Sequence, residues 1–88
     1  MNETEIERKL YSIFEKFVPD VALTMLWARG RDIPLTSTSW NFDAINLAYL
    51  FFEVENIFSI QIEPALLENY RFNSIEGIIK IINDSLER

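Results

Sequence analysis

The 88-residue chain carries eight lysines and arginines against fourteen acids, a net charge of -6, with 49% hydrophobic residues and neither cysteine nor histidine. That length supports one small core and a single domain over residues 1–88, and the composition is that of a folded globular protein. The missing residue types exclude disulfides, thiolate nucleophiles, the usual zinc sites and imidazole acid-base chemistry.

The opening stretch NETEIERKLYSIFEKF places Ile6, Leu10, Ile13, Phe14 and Phe17 on one helical face. Asn2 is suited to cap this helix, Glu5 completes a capping-box pattern, and Pro19 discourages continuation. The mixed charge of these first residues lacks the apolar run of a signal peptide, so a cytoplasmic location is expected.

From Val18 to Asn41 the composition is irregular, with two of the three prolines and one of the two glycines, and it reads as a long connection. Within it, Asp20 is expected to cap a short helical turn through Val21, Leu23, Met25, Leu26 and Trp27. Gly30 is expected to end that turn in a left-handed conformation.

A central helix is expected from Asp43 to about Phe58. Its apolar residues exceed one stripe: Leu47, Leu50, Val54 and Phe58 follow one face, while Ile45, Ala48, Phe51 and Phe52 continue around the side. Such a helix is read as a core element touching two neighbours, with exposure of Tyr49 and one phenylalanine as a docking surface the alternative. The apolar run Ile45 to Phe52 is too short and interrupted to cross a bilayer, so no membrane contact is expected.

Pro64 suits the first turn of a short helix in which Leu66, Leu67 and Tyr70 pack inward. The last helix, capped by Asn73 or Ser74, carries Ile75, Ile78, Ile79, Ile82 and Leu86 on one face. The IFSIQI stretch before Pro64 alternates like a strand, but a lone strand has no pairing partner, and it reads as a helix end and extended turn.

No lysine or arginine lies between Asp32 and Tyr70, whereas Asp32, Asp43, Glu53, Glu55, Glu63 and Glu68 do. A nucleic-acid binder requires the opposite balance, so nucleic acid is excluded as a partner. Only two glycines are present, too few for a Gly-rich phosphate loop, and no nucleophile-base pair is identifiable. The chain is therefore read as a non-enzyme.

Long helix, long connection, central helix, short helix and final helix in an acidic domain together resemble the acyl carrier proteins. The stretches FDAINLAYLFFEVENIFSIQIEP and RFNSIEGIIKII carry the resemblance. It implies an all-α, four-helix bundle with a long loop between its first and second helices. In that family the second helix opens with Asp-Ser-Leu, whose serine carries phosphopantetheine; the matched residues here are Asp43, Ala44 and Ile45. Ala44 has no oxygen to esterify, so no cofactor is expected, with Ser39 as the fallback attachment site for phosphopantetheine and Ser37 also upstream.

Carrier proteins also present acids along their second helix to basic patches on their enzymes. Here Asp43 and Glu55 match such positions, while Asn46, Tyr49 and Asn56 replace others. The resemblance thus implies a monomeric adaptor that docks through Asp43, Tyr49, Phe51, Phe52 and Glu55 on a biosynthetic or peptide-modifying enzyme with a basic or apolar patch. A narrower similarity, to the serine-lacking carrier-related proteins of bacterial peptide-maturation systems, points to the same role. The alternative is a working carrier that uses Ser39 or holds an acyl chain noncovalently.

Overall fold

A computed structural model describes residues 2–70 and 72–87, without the side chains of residues 68–70. The expected inward packing of Tyr70 and the acidic contribution of Glu68 lie outside the described side chains. Five helices follow one another: α1 (Glu3–Phe14), α2 (Asp20–Arg29), α3 (Ala44–Phe58), α4 (Pro64–Tyr70) and α5 (Ile75–Leu86). The described residues contain no strand, so the all-α expectation holds.

The count of four helices is corrected by α2, a ten-residue helix inside the expected loop. DVALTMLWAR is free of glycine and proline and rich in good helix formers, with Arg29 in the last turn where the helix dipole favours a cation. Asp20 does not act as its cap. Pro19 occupies that position, with no side-chain capping bond, and Asp20 is the first helical residue. Gly30 is also not left-handed: its φ of -120° with ψ 24° lies on the negative-φ side, where other residues are also accommodated. A Cβ there would sit 3.1 Å from the Leu26 carbonyl oxygen, so close packing accounts for this glycine.

Helix α1 starts as anticipated, with Asn2 Oδ1 accepting from the Glu5 amide at 2.9 Å. Its Ile6, Leu10, Ile13 and Phe14 are buried. Phe14 is the hub of an aromatic cluster, with ring centroids 5.8 Å from Trp27, 5.4 Å from Trp40 and 5.7 Å from Phe42. Such edge-on and tilted contacts add specific attraction to the area they bury. They tie α1 to α2 and to the segment leading into α3.

Helix α5 is the most deeply embedded element: Ile75, Ile78, Ile79, Ile81 and Ile82 are all buried. Ile81, outside the expected stripe, is buried because α5 packs against both α4 and α1. Ser74 is the cap, its Oγ accepting from the Gly77 amide at 3.1 Å.

The segment between α2 and α3 is stapled onto the start of α5. The Leu35 amide donates to Asn73 O at 2.8 Å, and the Glu76 amide donates to Arg31 O at 3.0 Å. Arg31 reinforces this junction, pairing with Glu7 of α1 and lying 3.0 Å from Glu76 of α5. Trp40 Nε1 donates to Gly30 O at 3.0 Å, and the Phe42 amide donates to Leu35 O at 2.9 Å. A stretch that reads as loop in composition is thereby fixed, and it delivers α3 in one orientation.

Candidate functional site

The start of α3 is built by Asp43. Its Oδ1 accepts from the Asn46 amide at 2.7 Å, satisfying one of the amides that a helix start leaves unpaired. Ala44 follows as the first helical residue and is exposed. Ser39 is exposed in a turn ahead of α3, whereas Ser37 is half-buried with its Oγ enclosed.

Helix α3 runs antiparallel to α1. Glu53 meets Lys16 at 2.9 Å near one end of the contact, and Lys9 lies over the Phe58 ring near the other. Leu50, Val54 and Phe58 face the core. Phe51 is half-buried, its ring 5.3 Å from that of Phe72 and 6.1 Å from that of Phe52. The helix is therefore held on one flank by α1 and on the other by the segment leading into α5.

What remains is the outer face. Ile45, Tyr49 and Phe52, spaced i, i+4 and i+7, are 67%, 61% and 65% exposed and lie along one line. Ala48 and Asn56, also exposed, flank them. Large apolar side chains exposed together in a row differ from the scattered surface hydrophobes of any globular protein.

The acids around this face are engaged within the molecule. Asp43 caps the helix, Glu53 pairs with Lys16, and Glu55 Oε2 accepts from the Ile62 amide at 2.9 Å. Glu55 thereby secures the chain as it leaves α3, just after Ser59 has turned it in a left-handed conformation at φ 53°. Of the five residues expected to dock, Tyr49 and Phe52 are presented together, Phe51 supports Phe52 from below, and Asp43 and Glu55 serve the helix ends. Ile45 was missed as a surface residue, although its four-residue spacing from Tyr49 signals a shared face.

Among the described residues no group of three or more acidic side chains is placed to hold a metal ion. No helix among them is long and apolar enough to cross a membrane. Set against known proteins, the chain matches no family model, no curated protein and no solved structure.

Proposed function

We propose that this chain is a non-enzymatic docking module on a carrier-like helical scaffold, and that α3 is its recognition element. The partner is a biosynthetic or peptide-modifying enzyme that offers an apolar pocket to Ile45, Tyr49 and Phe52. The observation that carries this reading is the row of three large exposed apolar residues on a capped helix. Aromatic anchors of this kind provide much of the binding energy in protein interfaces. Because the neighbouring acids already have internal partners, the recognition is chiefly apolar, and salt affects it less than in a carrier that uses a row of free carboxylates.

In the carrier-like register, Ala44 stands where an attachment serine would be. The first experiment is intact mass after incubation with coenzyme A and a broad-specificity phosphopantetheinyl transferase, on the natural sequence and on Ala44→Ser. Gain of the arm by the variant alone supports a carrier scaffold that has lost its covalent chemistry. Gain by the natural sequence, mapped to Ser39 or Ser37, overturns the non-carrier reading. Failure of both overturns the carrier-like scaffold.

A further inference from the structure

We draw no further inference here: the strongest candidate, the outer face of α2 on which Val21 and Met25 are exposed, is an unpartnered apolar face, and nothing in the structure shows what covers it.

Discussion

Replacing Trp40 with phenylalanine tests how firmly the segment before α3 is anchored. Trp40 is 4% exposed, packs edge-on against Phe14, and donates its indole N–H to Gly30 O at 3.0 Å. Phenylalanine keeps an aromatic ring but loses the donor and part of the volume. The Gly30 carbonyl retains a second bond from the Ile33 amide at 3.1 Å, so it is not left unpaired. The polar loss is then that of one ordinary hydrogen bond, about 1 kcal/mol. The unfilled volume costs about 1–2 kcal/mol more, well below the full truncation of a buried tryptophan. A total of about 2–3 kcal/mol is a large share of the roughly 4–13 kcal/mol available to a domain of this length. Urea unfolding followed by far-ultraviolet circular dichroism should show a lower midpoint with unchanged slope. The melting temperature should fall by about 10–20 °C. A loss below about 0.5 kcal/mol, the level of a neutral surface change, would refute the view that Trp40 anchors this segment.

Glu55→Ala should cost about 1.5–2 kcal/mol by removing the charged acceptor of the Ile62 amide, whereas Glu55→Gln, which keeps an acceptor oxygen, should lose less than half of that; chemical denaturation compares them. Asp43→Ala removes the α3 cap and should cost about 1 kcal/mol, with faster amide exchange in the first turn of α3 as the local readout. Tyr49→Ser combined with Phe52→Ser should leave the denaturation midpoint within about 0.5 kcal/mol of the parent, as expected of exposed positions; a larger loss in the same denaturation experiment would show that these residues serve packing.

The helices α1, α3 and α5 are legible in the sequence because each carries a capping residue and helically spaced apolar residues, confined to one face in α1 and α5 and broader in α3. Asn2 and Ser74, both expected as caps, do cap, whereas Asp43, expected as the first helical residue, caps α3 from one position before its start. Helix α2 is less legible because its apolar residues point in several directions: Leu23 is buried, Leu26 and Trp27 are half-buried, and Val21 and Met25 are exposed. Periodicity therefore gives no clear stripe, and one proline and one glycine nearby make the segment read as loop. The anchoring of residues 31–42 is invisible to local reading, since its partners, Glu7, Asn73 and Glu76, are distant in sequence.

The candidate site divides in the same way. Exposure of Tyr49 and Phe52 follows from an apolar surface too wide for one core contact. The allocation of Phe51 to the interior edge depends on Phe72, and the use of Glu55 depends on a backbone amide seven residues onward. Acidic residues read as a docking row are thus partly structural. An acid near a helix end often has a backbone donor within reach once the following chain turns back.

The most direct test of the central claim, that the outer face of α3 is the recognition surface, compares phosphopantetheine transfer to Ala44→Ser with transfer to the same variant carrying Tyr49→Ser and Phe52→Ser. A single broad-specificity transferase and intact mass supply the rates. Loss of two central aromatic anchors should lower kcat/KM at least about tenfold, with the helical spectrum unchanged and little dependence of the difference on salt. Equal rates for the two folded variants, or no transfer to Ala44→Ser at all, would contradict the account.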